Sequence, residues 1–275
     1  MNLKPLPPAA TILWLSDLHL DQAEPQKVDI LLDEIAGSEY SALVVSGDTT
    51  SSARSLSKHL RQLASASNRA IYLVLGNHEF HGGSIDSVER EVTDLCRRVK
   101  NLHHLEGNEV IPLSQNTALV GHRGWADARA GWGKRTIVPS RDHHSIEDFK
   151  MLSRQELFSK MESLGRESAR SFRKTLPYAL SVYQNLVILT HVPPFPETAY
   201  FRRRPCGPTH LPHFTNLSAG LTIRGIARKF PHRFISVLSG HTHGQFRTNI
   251  LNNLEARVGQ ARRGNPVIQA ILEYP

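Results

Sequence analysis

The N-terminal third of the chain alternates short apolar runs with longer segments of helical periodicity. Apolar runs over 11–16, 42–46 and 70–75 predict three strands, and the segments 27–37 and 53–66 predict helices between them. This order predicts a parallel sheet. A further helix is predicted over 84–100, with one apolar face formed by Val88, Val92, Leu95, Cys96 and Val99.

The pattern changes after residue 110. Apolar runs over 110–113 and 117–121 flank a turn-forming Ser-Gln-Asn and predict a hairpin, and 121–138, which has no clear period, predicts a surface loop. The segment 145–184 predicts one or two amphipathic helices broken near Gly165. A second sheet, mixed or antiparallel, is expected from strands at 186–190, 233–238, 245–248 and 266–272, with a helix over 218–230.

Length and composition favour a single globular domain over residues 1–275, because 40% of residues are hydrophobic and neither a repeat nor a linker divides the chain. Only two cysteines are present, and the N-terminus lacks the apolar run of a signal peptide, so we expect a reducing, cytoplasmic setting. No apolar stretch is long enough for a membrane span. The formal charge of +8 favours anionic partners, whether small phosphates, nucleic acid or lipid head groups.

Metal-ligating side chains follow the ends of several predicted strands, where α/β folds place their ligand crevice. The candidates are Asp17, His19, Asp48, Asn77, His191, His241 and His243. Residues two apart in extended backbone point to the same side, so Asp17 and His19 are expected to aim together. We expect neighbouring glycines to permit the sharp turns, namely Gly47, Gly76 and Gly240.

The ligand chemistry indicates the cofactor. Oxygen and imidazole ligands without thiolate suit Mn, Fe, Zn or Co, as two divalent or mixed-valence ions. Seven such side chains exceed what one catalytic ion needs, so the sequence predicts two ions that share a bridging carboxylate.

Taken together, these motifs resemble the calcineurin-like metallophosphoesterase family. The matching blocks occur in the family's order and are Asp17-Leu18-His19, Gly47-Asp48, Gly76-Asn77-His78-Glu79, His191 and Gly240-His241-Thr242-His243. The resemblance implies an α/β fold, a four-layer αββα sandwich with two mixed sheets. It also implies that Asp48 bridges one metal held by Asp17, His19 and His243 and another held by Asn77, His191 and His241.

The resemblance also implies a reaction. A metal-bridging hydroxide is expected to attack the phosphorus of a small, nucleotide-like phosphomonoester or phosphodiester, in line with the leaving oxygen. The metals and Asn77 are expected to hold the phosphoryl oxygens. His78 is the candidate proton donor to the leaving oxygen, and Asn77 and His78 are the candidate substrate-binding residues. Many relatives carry an aspartate three residues after the bridging aspartate to steady that histidine, whereas this chain has Ser51.

Several interpretations stay open. A metal-dependent nuclease fits the positive charge, and a non-catalytic interaction module with this fold is a second alternative. His81 is expected to be an ordinary core or surface histidine, and Glu79 either a carboxylate that orients a ligand histidine or an exposed one. The three arginines at 202–204 either line the site or face solvent. Arg123 and Arg129, interleaved with Trp125 and Trp132, either line the rim of the site or belong to a loop that packs its own tryptophans.

Overall fold

The computed structural model describes residues 6–201 and 204–275, so Arg202 and Arg203 lie outside the described residues, and Arg204 is exposed. The strands are β1 (Ala10–Leu15), β2 (Ala42–Ser46), β3 (Ile71–Val74), β4 (Leu102–His104), β5 (Ile111–Pro112), β6 (Thr117–Gly121), β7 (Asn185–Leu189), β8 (Tyr200–Phe201), β9 (Arg204–Pro205), β10 (Phe234–Ser239), β11 (Phe246–Leu251), β12 (Leu254–Val258) and β13 (Ala270–Tyr274).

Side-chain caps mark where three of the helices begin. Ser84 and Ser153 each accept a hydrogen bond from the backbone N–H three residues later, in capping boxes, and Asn216 accepts one from Ala219. The helices are α1 (Pro25–Gly37), α2 (Leu56–Ala66), α3 (Ile85–Arg98), α4 (Asp142–Ser145), α5 (Arg154–Val182), α6 (Leu211–Phe214) and α7 (Leu217–Lys229).

Two mixed sheets form the centre of the protein. The first has the order β13-β1-β2-β3-β4, and the second has the order β11-β12-β10-β7-β6-β5. In the first sheet only β13 runs antiparallel to its neighbour, and in the second sheet β5 and β11 do so. The parallel strands of each sheet therefore end at a common edge.

Three hydrophobic clusters separate four layers. One packs α1, α2 and α3 on the first sheet, with Leu43 and Leu60 among its buried side chains. A second packs α5 and α7 on the second sheet, with Phe172 and Ile223. The third lies between the sheets and includes Trp14 and Leu189. This αββα arrangement confirms the expected fold class.

The structure corrects four sequence predictions. Helix α5 continues through Gly165, because Gly165 packs directly against Asp127, where a side chain has no room. Strand β12 was not predicted. Strand β13 pairs with β1 and not with the second sheet, so the predicted parallel sheet has an antiparallel edge. Residues 121–130 are mostly buried rather than a surface loop, and Trp125 packs its ring against Phe149, whereas most of 131–138 is exposed as predicted.

Candidate metal centre

The candidate ligands lie in short loops beyond the carboxyl ends of β1, β2, β3, β7 and β10. Within the described residues, six residues other than glycine adopt positive φ, and five of them are candidate ligands: Asp17, His19, Asp48, His241 and His243, at φ 49°, 44°, 54°, 71° and 59°. Asp and His tolerate the left-handed region better than most residues, but each such residue costs about 1–3 kcal/mol. Backbone strain therefore concentrates at this site.

For two local features, the structure gives a different physical reason from the one expected from the sequence. Asp17 and His19 converge through left-handed turns and not through extended backbone. Of the three flanking glycines, only Gly47 has a positive φ, of 87°. Gly76 and Gly240 are required by close approach instead, since a Cβ would collide with the carboxylates of Asp48 and Asp17 respectively.

The first group of ligands consists of Asp17, His19, Asp48 and His243. One ligand atom from each lies within 4.8 Å of all the others. Nε2 of His243 is 3.5 Å from Oδ1 of Asp17 and 3.4 Å from Nε2 of His19. Two carboxylates and two imidazoles thus surround one small space, which suits a divalent cation.

The second group consists of Asn77, His191 and His241, next to Asp48. Oδ1 of Asn77 lies 3.0 Å from Nε2 of His191 and 2.8 Å from Nδ1 of His241. Nε2 of His191 is also 3.4 Å from Oδ1 of Asp48. The structure therefore brings together all seven side chains that the sequence singled out.

The chemistry around Asp48 fits a bound cation. Its carboxylate is fully buried, and Oδ2 has no hydrogen-bond partner among the described residues. Burial, together with the charges of Glu79 and Asp17, raises the pKa of Asp48 well above its ordinary value. Because a buried carboxylate oxygen without a partner is costly, a cation between the two groups would remove this penalty.

Three of the four candidate ligand histidines have their other ring nitrogen held by the protein. Nδ1 of His19 is 3.0 Å from Oγ of Ser51, Nδ1 of His191 is 2.8 Å from the carbonyl of Ser46, and Nε2 of His241 is 2.8 Å from the carbonyl of His213. Such contacts direct the free nitrogen toward the metal space. Burial lowers the pKa of His19 to about 4 and that of His191 to about 3, which keeps both neutral and able to ligate.

Ser51 orients His19, so it does not replace the aspartate that steadies the proton-donor histidine in relatives. The His78 ring instead contacts two other imidazoles, with centroids 4.8 Å from His19 and 4.5 Å from His81. Its backbone N–H donates to Oδ1 of Asp48 at 3.0 Å. Burial, followed by the neighbouring imidazoles, lowers the pKa of His78 far below 6.5, so the free site holds a neutral ring.

Two further carboxylates support the ligand loops. Glu79 is fully buried and accepts backbone N–H groups from Asp48, Thr49 and Gly76 at 2.5–3.0 Å. The interpretation as an exposed carboxylate is therefore wrong, and these hydrogen bonds orient the backbone of the Asp48 loop rather than a ligand histidine. Burial raises the pKa of Glu79 to about 7 in spite of these bonds.

Sequence analysis missed Asp142, which begins the short helix α4 in a stretch for which the sequence predicted no element. Its Oδ1 accepts the Asn77 amide at 2.8 Å and lies 2.7 Å from Nε2 of His81. His81, expected to be ordinary, is thus part of the support for Asn77. The basic residues of 121–138 lie elsewhere: Arg123 pairs with Glu89.

The family model for calcineurin-like phosphoesterases matches residues 10–245. The chain belongs to this family. This match confirms the resemblance read from the five motif blocks and identifies the chain as a metal-dependent phosphoesterase, a hydrolase of ester bonds. No curated protein matches the sequence.

Solved structures share the fold at low sequence identity. A phosphopantetheinyl hydrolase from Mycobacterium tuberculosis has a TM-score of 0.63 and 14% identity, covering 95% of this chain and 92% of that chain. A dimetal phosphatase from Danio rerio has a TM-score of 0.57 and 14% identity, covering 94% and 88%. A Thermus thermophilus protein has a TM-score of 0.51 and 12% identity, covering 92% and 89%. Within the described residues, no helix has the length and apolar character that crossing a bilayer requires.

Proposed function

We propose that the chain hydrolyses a small phosphomonoester or phosphodiester, nucleotide-like, with two divalent or mixed-valence ions chosen from Mn, Fe, Zn and Co. The observation that carries this proposal is the position of Asp48. Its Oδ1 lies 3.4 Å from Nε2 of His191, and its Oδ2 lies 3.8 Å from Nε2 of His19. One carboxylate oxygen therefore faces each ligand group, as a bridging ligand requires.

In this proposal the first group holds one ion through Asp17, His19 and His243. The second group holds the other ion through Asn77, His191 and His241. When bound, the two ions supply positive charge for the phosphoryl oxygens and activate water as the nucleophile. Among the candidate ligands, only Asp17 and Asp48 carry negative charge to offset that of the two ions, so the centre would attract an anionic phosphoester.

A cavity of about 350 Å³ opens directly onto the ligand groups. Asn77 and His78 line it together with His241 and His243, and Arg141 adds a cation. The volume lies in the range of small-molecule sites, which supports a small substrate. We infer that Asn77 binds a phosphoryl oxygen here while Asp142 holds its amide in place.

Aromatic side chains form the opposite wall of this cavity. The Phe214 ring lies 5.3 Å from the His241 ring and is nearly parallel to Phe201 and His210, at 17° to each. Offset-parallel rings offer flat apolar surface to a planar group. This wall supports a nucleotide-like substrate whose base or aryl group leaves the phosphorus on that side.

His78 is positioned to act on the leaving oxygen. Its side chain retains 21% exposure, whereas that of Asp48 retains 1%, so it can contact a substrate in the cavity. The ring is neutral in the free site, and the negative charge of a bound phosphoester would raise its pKa and favour proton uptake. We therefore propose that the ring, once protonated, donates an N–H hydrogen bond to the leaving oxygen and transfers that proton, which returns the imidazole to its neutral form.

A substrate panel tests this function. The protein is assayed with a bis-aryl phosphodiester, the matching aryl monoester and a set of nucleotides, with Mn²⁺ present and after chelation, while bound metals are quantified by elemental analysis. We expect turnover of at least one class, loss on chelation and recovery with Mn²⁺. A metal-loaded protein that is inert on all of them would favour the interaction module, and activity on nucleic acid alone would favour the nuclease.

A further inference from the structure

A groove of about 650 Å³ runs between α5 and α7, on the outer face of the second sheet. None of the residues described as lining it is a candidate metal ligand or lines the substrate cavity. The groove is therefore a separate surface feature, and the proposed hydrolysis does not use it.

Its lining is strongly cationic. Arg166, Arg170 and Arg173 of α5 share one helix face, because they are spaced by four and three residues. Arg129 and Lys229 contribute cations as well, and no carboxylate is among the lining residues. Five positive charges thus face a single groove.

Most of these cations lack an anionic partner. Within the described residues, only Arg166 forms an ion pair, at 2.5 Å to Glu162, and Arg129 donates to the hydroxyl of Ser218 at 2.9 Å. Arg170 and Arg173 are exposed and have no carboxylate within ion-pair distance among those residues. Like charges gathered this closely repel one another, so an anionic ligand would bind here favourably.

The form of the groove indicates the form of the ligand. Its cations are exposed and arranged along a helix, and they do not converge on one buried point, which fits an extended polyanion better than a single small anion. Arginine pairs with phosphate through two parallel hydrogen bonds, which suits a phosphate backbone. The hydroxyls of Ser218 and Thr222 already donate to Asp127 and to the Ser218 carbonyl, so the arginines and Lys229 supply the donors of the groove. No lining residue is aromatic, so bases have no ring to stack on.

We propose that this groove binds the sugar–phosphate backbone of a nucleic acid, without reading its sequence. The contact would hold the enzyme on a polyanion while the metal centre stays free. Since no lining residue is a candidate ligand, this binding does not require the metal ions.

The test measures binding of a fluorescein-labelled single-stranded RNA and of a DNA duplex by anisotropy, with chelator present so that the centre is metal-free. The double variant Arg170→Glu, Arg173→Glu should weaken binding at least about tenfold. For the single strand, the slope of the logarithm of the association constant against the logarithm of salt concentration should become less steep by about 1.4. The matched control is Lys58→Glu, Arg61→Glu on α2, which changes net charge equally on exposed positions outside the groove. The control should bind as the wild type does.

Three results would overturn the proposal: no binding by the wild-type protein at low salt, equal weakening in both double variants, or tighter binding of an acidic peptide than of either nucleic acid. The neutral variant Arg170→Gln, Arg173→Gln guards against misfolding by charge reversal and should show an intermediate loss. Thermal unfolding by circular dichroism verifies the fold of each variant. Phosphoester turnover by the groove variants should equal that of the wild type, which keeps this test separate from the proposed hydrolysis.

Discussion

The two ligand groups differ in charge, backbone and exposure. All four residues of the first group adopt positive φ, whereas Asn77 of the second has φ −72°. Asp17 belongs to the first group alone, so that group holds two carboxylates and the second holds only the shared Asp48. The side chain of His243 is 34% exposed and that of His191 is 1% exposed. The first group thus has one more carboxylate and more left-handed residues than the second, and its His243 is more exposed than His191.

This difference indicates how the centre is built. Strained loops persist only where surrounding contacts impose them, and here Asp17 is held by the His241 N–H at 2.8 Å and by the Ser16 hydroxyl at 2.5 Å. In the second group Asn77 has ordinary backbone, whereas His241 shares the left-handed conformation at φ 71°. We expect the first pocket to bind its ion more tightly, because it carries more negative charge.

The shared carboxylate gives the largest expected effect. Asp48→Asn weakens both pockets at once and should lower kcat/KM by about 10³-fold or more, with a loss of both metals in elemental analysis. Circular dichroism verifies the fold, since the amide keeps an oxygen that can accept the His78 N–H. An active variant that retains both metals would contradict the proposal that Asp48 is a ligand shared by the two groups.

His78 tests the chemistry next to the first pocket. His78→Ala should retain both metals but slow substrates with poor leaving groups by about 10²-fold, and substrates with good leaving groups much less. The measurement is kcat for a series of aryl esters of graded leaving-group pKa, with His144→Ala as a control on a histidine that does not line the cavity. An equal loss across the series would argue against proton donation.

The charge difference between the pockets predicts unequal metal affinities. Asp17→Asn should raise the Kd of the tighter ion at least about tenfold, because one negative charge is lost, whereas His191→Ala should weaken mainly the looser ion. Calorimetric titration of the chelated proteins with Mn²⁺ gives both constants. His243→Ala is the matched neutral-ligand variant of the first group. If His191→Ala weakened the tighter ion more than Asp17→Asn did, the assumed order of the pockets would be reversed.

The smallest effect is on stability and depends on pH. Burial lowers the pKa of His19 from 6.5 to about 4, so below pH 6.5 the unfolded chain binds a proton that the native state does not. Asp48 and Glu79 act oppositely, since burial raises the pKa of each, but more histidines have lowered pKa values, including His78, His122, His191, His213 and His241.

The free energy of unfolding of the chelated protein should therefore decrease as pH falls from about 6.5 to about 4.5. Urea unfolding followed by circular dichroism at several pH values measures this change. Saturating Mn²⁺ should stabilise the protein most at the upper end of the range, because metal binding requires deprotonated ligands. Stability that is constant over this range would show that the histidines are less buried than the structure places them.

Strand and helix positions near the N-terminus follow from local pattern. The prediction over 42–46 coincides with β2, and the helix predicted over 84–100 contains α3, because alternation of strand and helix there is regular. The helix break predicted near Gly165 is wrong, because the prediction used only the low helix propensity of glycine. The close contact of Gly165 with Asp127, a residue distant in sequence, explains the glycine inside the helix. Strand β13 was assigned to the wrong sheet, since its pairing with β1 joins segments about 260 residues apart.

The sequence by itself identified the candidate metal ligands, because only certain residue types can hold a metal, and the seven candidates lie together in the structure. Only the tertiary structure decided how they are held. The left-handed turns, the buried Glu79 beneath the Asp48 loop and the Asp142 support of Asn77 depend on contacts between distant segments. Such contacts cannot be predicted from local sequence, because the pattern around a loop carboxylate is the same whether the carboxylate is exposed to water or accepts hydrogen bonds from buried N–H groups.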